Sequence, residues 1–345
     1  MAYAVGTATD WMDFLRKLRD YISGALDPAV HPDFSDGGEV PVGQRWDVLV
    51  NGGLMTNIPG SGFATDGEVY FRGPGSDPTD EIIVGIKTYR NEPANVWGWS
   101  LRGFTQFDDS LSWTTLPGLS PECYAAFDDE SFPIWIWCNA RRVMAAARVG
   151  TSDILVHFGF IQQFGTRNQY PYPLLVAGSA NSQVISFQTN HYGHSCLPDP
   201  SDCAQLRWVD GTWITIANYS GSSQQRGNAR LTTGNVVWPN RNPIASPDSS
   251  SAGACAEDTI FESFTTGVAP YISDSEIGAV SIFPACLVRN SHLVGRIDGL
   301  FAVFGFGLVT GDTLTDNSES PPVVYDVFAN TWRSEPIDYF AVRRE

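Results

Sequence analysis

The densest run of chemistry-capable side chains is His191-Tyr192-Gly193-His194-Ser195-Cys196, followed by Cys203. His191, His194, Cys196 and Cys203 are the ligand types of tetrahedral zinc, which takes imidazole nitrogen and thiolate sulfur. Their spacing matches no standard ribbon or finger, where cysteine pairs sit two to four residues apart. Pro198 and Pro200 make a tight Cys196–Cys203 loop feasible, and a disulfide can close it outside a reducing compartment. An ordinary polar loop is the leading reading, with disulfide and metal as the two others. No metal or other cofactor is therefore expected.

Paired carboxylates occur at Asp108-Asp109 and Asp128-Asp129. Two acids can hydrolyse a glycoside when held about 5 to 9 Å apart across the sugar. Adjacent residues on a strand point to opposite faces, so neither pair is itself such a dyad; only a cross pair could be. Acidic turns are the commoner reading. Trp97, Trp99, Trp113, Trp135 and Trp137 can line a sugar platform, but core packing is the default for tryptophans on strands. The motifs HExxH, G-x-S-x-G and Cys-x-x-Cys are missing. In Phe304-Gly305-Phe306-Gly307-Leu308-Val309-Thr310-Gly311 the last glycine comes one residue too late for a dinucleotide fingerprint. No catalytic residue is assigned, and the chain is not expected to be an enzyme.

The elements that must position these groups are mostly strands. The chain has 345 residues, enough for one large or two ordinary domains. Its net charge is -17, from 21 basic and 38 acidic side chains. That balance repels phosphate backbones and anionic membrane surfaces, which excludes general nucleic-acid binding. Lys17 and Lys87 are the only lysines, and neither ends a Gly-Lys phosphate loop. The opening residues lack a basic start and an unbroken apolar core, so no signal peptide is expected. No stretch approaches the 18 or so apolar residues of a spanning helix, so membrane insertion is not expected. Six cysteines are too sparse for a disulfide scaffold, and most read as small buried hydrophobes.

Residues 10–24 predict the one convincing helix. Thr9 or Asp10 can cap it, and Gly24 can stop it. Trp11, Phe14, Leu15, Leu18, Tyr21 and Ile22 share one face. That stripe can be buried in its own domain or on a neighbouring subunit. Strand-like runs follow, including 46–50, 69–72, 82–88, 95–102, 134–137, 143–149, 154–160 and 174–176. Further runs lie at 184–188, 206–209, 279–283, 293–297, 300–304 and 323–328. Asp210-Gly211 and Asp298-Gly299 read as tight turns between strands. The Ser/Gly/Asn/Pro-rich stretch 219–254 reads as an exposed loop with a short strand at 235–238. The pattern predicts a mainly β chain with sandwich or jelly-roll layers and one short N-terminal amphipathic helix. The expected division is 1–188 and 189–345, with one large β domain as the alternative.

Several short runs resemble virion structural proteins of tailed bacteriophages. Val5-Gly6-Thr7-Ala8-Thr9-Asp10-Trp11 with Asp13-Phe14-Leu15 is similar to their N-terminal helix. Tyr70-Phe71-Arg72-Gly73-Pro74-Gly75 with Thr79-Asp80-Glu81-Ile82-Ile83-Val84-Gly85-Ile86 resembles a shared strand pair, as does Trp97-Gly98-Trp99-Ser100-Leu101-Arg102-Gly103-Phe104 after it. Asn139-Ala140-Arg141-Arg142, Tyr170-Pro171-Tyr172-Pro173-Leu174, Gly295-Arg296-Ile297-Asp298-Gly299 and Asn330-Thr331-Trp332-Arg333 with Asp338-Tyr339 continue the pattern. It spans nearly the whole chain and is weakest over 189–260.

The resemblance implies assembly rather than catalysis: a subunit of the tail apparatus (neck, collar or baseplate) that is made in a host cytoplasm and incorporated into the virion. Expected partners are other virion proteins and further copies of the chain in a ring. Trp11, Phe14, Leu18 and Trp238 are the expected interface residues, the last because Val236, Val237 and Trp238 are the large apolar cluster of the polar loop. Exposed tryptophans and a lysine-poor surface are expected to favour such contacts. The alternative is a lectin-like receptor- or glycan-binding module of the virion.

Overall fold

In the computed structural model the described residues are 1–51, 64–77, 79–92, 95–150, 152–179, 204–216, 235–238, 271–274, 278–289, 292–304, 308–317, 320–329 and 339–344. The chain opens with β1 (Ala2–Ala8), α1 (Trp11–Ile22), β2 (Phe34–Gly37) and β3 (Asp47–Asn51). Then come β4 (Ala64–Gly73), β5 (Ile82–Asn91), β6 (Val96–Phe104) and β7 (Cys123–Phe127). Next are β8 (Phe132–Cys138), β9 (Arg142–Val149), β10 (Ser152–Phe160), β11 (Gln162–Gln163), β12 (Leu174–Ala177), β13 (Ala204–Arg207) and β14 (Trp213–Ile216). The last are β15 (Asn235–Trp238), β16 (Tyr271–Asp274), β17 (Gly278–Arg289), β18 (His292–Phe304), β19 (Thr313–Asp316), β20 (Val323–Ala329) and β21 (Tyr339–Arg343).

These strands form three antiparallel sheets, and the fold is mainly β as expected. Sheet A has the order β14-β13-β12-β10-β9-β8-β1-β2. Sheet B is β3-β4-β5-β6-β7. Sheet C follows β15-β17-β18-β21-β20-β19, with β16 on β17 and β11 on β18. The end strand β19 approaches β16, so sheet C curls toward closure around Ile282, Val303, Leu314, Tyr325 and Val327.

Sheet A is the middle layer. An antiparallel sheet usually keeps one wet face, but all nine residues of β10 are buried. The period-2 alternation of β8 explains how. Ile134 and Ile136 enter one core, shared with α1 and sheet B. Trp135 and Trp137 enter the other, shared with sheet C. The small residues of β9 make room: Ala146 lies opposite Trp135, and Ala145 opposite Ile136. Alternation here sorts residues between two dry faces rather than between core and water.

The helix forms as its sequence dictates. Asp10 caps it, with Oδ1 accepting the backbone N–H of Met12 at 2.8 Å and of Asp13 at 2.7 Å. Gly24, at φ +73, follows its last turn. Its apolar stripe faces inward. Phe14 meets Trp99 at 4.7 Å between ring centroids and Phe127 at 5.6 Å. Trp99 Nε1 donates to the Trp11 carbonyl at 2.9 Å. Trp11, Phe14 and Leu18 are 4%, 0% and 0% exposed in the single chain. They are therefore core residues, and the expectation that they contact a neighbouring subunit is overturned: the helix fills the gap beside sheet B that the stripe would otherwise leave wet.

Two further expectations change. The division at 189 falls inside sheet A, where β12 bonds to β13 with Leu175 opposite Leu206. Before that point β11 pairs with β18, which comes after it. Hydrogen bonding and a shared core join the two sides, as in the one-domain alternative. Asp210-Gly211 does close the β13–β14 hairpin, with Trp208 N–H donating to the Thr212 carbonyl at 2.7 Å. Asp298-Gly299 does not reverse the chain. The single strand β18 runs through it and stays on β17 at both ends, bending where the register shifts between Pro284 and Cys286. Gly299 takes φ +80 there, a conformation that costs a side-chain-bearing residue energy.

Phe14→Ala is expected to cost about 3 to 5 kcal/mol, read as a lower denaturant midpoint, because it empties a buried aromatic site. Removing residues 1–24 deletes both the helix and β1, an interior strand of sheet A. The expected result is an insoluble or unfolded product by circular dichroism, rather than a folded β body lacking only its contacts.

Candidate functional site

Buried ionic groups link separate elements of this body. Lys17 Nζ, nearly buried, donates to the Thr7 carbonyl at 2.7 Å and pairs with Asp13 and Asp33, each at 2.8 Å. Burial alone would raise the Asp13 carboxyl, but the hydrogen bonds from Lys17 and Thr9 with the charges of Lys17 and Arg16 hold it below its ordinary value. Arg344, just beyond β21, grips Asp326 of sheet C through Nε at 2.9 Å and a terminal nitrogen at 2.6 Å. The same guanidinium reaches Asp36 of sheet A at 3.0 Å and lies 4.4 Å from the Tyr3 ring centroid. Trp137 Nε1 donates to Asp326 Oδ2 at 3.1 Å, closing the link between the layers.

A second buried pair lies on the sheet C side of sheet A. Arg142 and His157 are both 0% exposed, and the guanidinium contacts His157 Nδ1. Burial, then the Arg142 charge, push the His157 imidazole well below its ordinary range, so it is neutral in the folded chain. Burial also lowers the Arg142 guanidinium, while Asp298 supports its charge. This pair is enclosed.

A cluster of polar groups, several of them partly exposed, lies on the outer face of sheet B. Alternation along β6 sends Trp97, Trp99 and Leu101 into the inner core, so Gly98, Ser100 and Arg102 face outward. Register then builds rows across the sheet. Glu68 is opposite Lys87, Lys87 opposite Ser100, and Ser100 opposite Tyr124. Tyr70 is opposite Gly85, and Gly85 opposite Arg102. Trp113 of the 105–121 loop lies over Gly85, where a Cβ would come within 2.7 Å of its ring.

Glu122 is the centre of this face. Trp113 Nε1 donates to it at 2.8 Å, Arg102 pairs with it at 3.2 Å, and the Tyr124 hydroxyl donates to its other oxygen. Burial would raise its carboxyl. The Tyr124 and Trp113 hydrogen bonds, with the Arg102 and Lys87 charges, outweigh that and hold it below its ordinary value. Glu122 is thus a fixed carboxylate acceptor. A glycosidase acid needs the opposite shift. Burial and the Glu122 contact raise the Tyr124 phenol, which stays protonated.

The residues singled out from the sequence are distributed otherwise. His191, His194, Cys196 and Cys203 lie outside the described residues. No group of three or more His, Cys, Asp or Glu is gathered as a metal site among the described residues. Cys123, Cys138 and Cys286 are buried thiols outside any disulfide, as small hydrophobes should be. Burial raises the Cys286 thiol to about 12. Asp108 is an exposed turn residue that accepts from Ser110 N–H at 2.9 Å and Ser110 Oγ at 2.6 Å. Asp128 accepts the Asp129 N–H at 2.9 Å in the turn after β7. Asp108 and Asp128 are thus each occupied locally. Trp97, Trp99, Trp113, Trp135 and Trp137 are all buried, in keeping with core packing, the default reading, rather than a sugar platform. Among the described residues Trp11 and Trp46 are buried too, and Trp208 and Trp213 are half-buried. Of the glycine-rich run, Gly305 and Gly307 lie outside the described residues, and Gly311 sits at φ +95 in the turn before β19. Trp238 contributes backbone pairing in β15, opposite Cys286.

No family model matches the chain, and no curated protein matches it in sequence.

The His157 environment sets an acid sensitivity. An unfolded histidine titrates near about 6.5. Below that pH the unfolded chain binds a proton that folded His157 refuses. Its contribution to stability is therefore intact above about 6.5 and falls by up to about 1.4 kcal/mol per unit as pH drops toward the depressed folded value. Denaturant midpoints from pH 7.5 to 5.0 should fall in the wild type and fall less steeply in His157→Gln; equal slopes would assign the loss elsewhere.

Proposed function

We propose that the protein is a non-enzymatic structural subunit of a tailed-phage particle, in the tail apparatus, at its neck, collar or baseplate. It joins other virion proteins and further copies of itself through repeated interfaces, as a ring would require. The reading rests first on the resemblance that runs along most of the chain. The observation that carries it furthest is the use of partly buried ion pairs between elements. Lys17, Arg344 and Asp326 each tie one element or layer to another. Such pairs are weak as sources of net stability, but breaking them is costly, so they favour one fixed arrangement of layers. A rigid block suits a part that transmits load and repeats one contact.

The contact surfaces then differ from those the sequence suggested. The helix stripe is consumed inside the body. Among the described residues the sheet margins are β3 and β7 for sheet B and β2 and β14 for sheet A, although the β7 margin already receives the Ser179 N–H on the Tyr124 carbonyl and β14 lies beside β15. Edge strands offer unpaired backbone donors and acceptors to a further chain. Val209, 45% exposed, projects from the β13–β14 turn beside one such margin. Strong negative charge keeps copies apart until complementary margins meet.

Immunogold labelling of purified particles with antibody to this chain should mark one fixed position on the tail, and loss of the gene should leave particles arrested at that stage. Recovery of the chain solely in the soluble lysate, beside complete infectious particles, would refute the assignment.

A further inference from the structure

We infer that the outer face of sheet B is a binding site for a sugar carrying a single carboxylate, held by Lys87, Ser100, Tyr124 and Glu122. This stands on the face alone and does not depend on the chain's place in a particle.

Three observations point to a ligand. Lys87 makes no hydrogen bond or ion pair among the described residues; its ammonium lies 5.8 Å from the Trp113 ring centroid. The chain has one other lysine, Lys17, and that one is fully engaged. Ser100 is 6% exposed, and its Oγ has no hydrogen-bond partner. A buried hydroxyl without a partner is destabilising, so a group that supplies one gains affinity there. Ser100 faces outward because both its chain neighbours, Trp99 and Leu101, face the inner core. The third observation is register: Lys87, Ser100 and Tyr124 are consecutive cross-strand partners. Opposite residues on one face stand roughly 5 Å apart, so ammonium, hydroxyl and phenol span about 10 Å, the length of one or two sugar rings.

The chemistry selects the ligand class. Lys87 supplies the unpaired positive charge for a carboxylate. Glu122, held ionised, accepts hydrogen bonds from sugar hydroxyls, and so does the Tyr124 oxygen. Glu68 borders the row on the far side of Lys87. Two carboxylates beside one free cation disfavour phosphate and other dense anions, as does a net charge of -17. A ligand with one carboxylate and several hydroxyl donors satisfies both kinds of group.

The test is calorimetric titration of the full chain with cellobiouronate, a disaccharide that carries one carboxylate, its methyl ester and inorganic phosphate. Cellobiouronate is expected to bind. Methyl esterification should weaken it at least tenfold, and phosphate should not compete. Lys87→Gln should lose at least tenfold in affinity, Lys87→Arg should stay within threefold of wild type, and Ser100→Ala should lose a few-fold. In the wild type, hydrogen-exchange protection by the saccharide should fall on 82–104 and 122–127, a readout independent of how any variant folds. No binding of cellobiouronate at millimolar concentration, unchanged binding by folded Lys87→Gln, or protection elsewhere would overturn the proposal. Equal binding of phosphate would reduce the face to a simple anion contact and overturn it as a sugar site.

Discussion

The structure depends on one constraint: the middle sheet must be dry on both faces. An antiparallel sheet of eight strands, with Ile and Trp alternating along β8, cannot leave either face in water. Burying a large apolar side chain is worth about 1.5 to 3 kcal/mol, and β8 to β10 carry them on both sides. Sheet B with the helix covers one face, and curled sheet C covers the other. This explains why the N-terminal helix is core rather than contact. It also explains why chain segments far apart in sequence share one body. The 189 boundary fails because β13 and β14 complete the margin of the same sheet.

Stacked apolar layers can slide, since dispersion and hydrophobic contact are not directional. Directional contacts fix the stack. Arg344 and Asp326 tie the end of the chain to Asp36 and Trp137 of sheet A. The helix is registered by Trp99 Nε1 on the Trp11 carbonyl and by the three partners of Lys17. Among the described residues the body buries a few ionic groups, such as Lys17, Arg142 and Asp326, and leaves few large apolar side chains outside, such as Phe164 and Val209. Recognition of partners is therefore left to strand margins, loops and the polar face of sheet B.

Local pattern made much of this legible. The helix, its Asp10 cap and its stop at Gly24 follow from residue types alone. So do most strands and the Asp210-Gly211 hairpin. Layer assignment was not legible, because period-2 alternation looks the same whether the second face is wet or dry. Ile134 and Trp135 differ in which core they enter, and only the third sheet decides that. Asp298-Gly299 misleads because a positive-φ glycine serves a strand bend as well as a turn. The face of sheet B was half visible: alternation over 95–102 already separates Ser100 and Arg102 from Trp97, Trp99 and Leu101. The pairing of Lys87 with Ser100 and of Ser100 with Tyr124 is non-local, and register across three strands is not written in any one of them.

Native-state hydrogen exchange tests the central constraint most directly. If the doubly buried sheet holds the fold together, the amides of β8, β9 and β10 should be the slowest in the chain. They should exchange only through global unfolding, with one common free energy equal to that from denaturant titration. Slower exchange in sheet B or sheet C, with β8 to β10 opening on their own at lower free energy, would contradict this account.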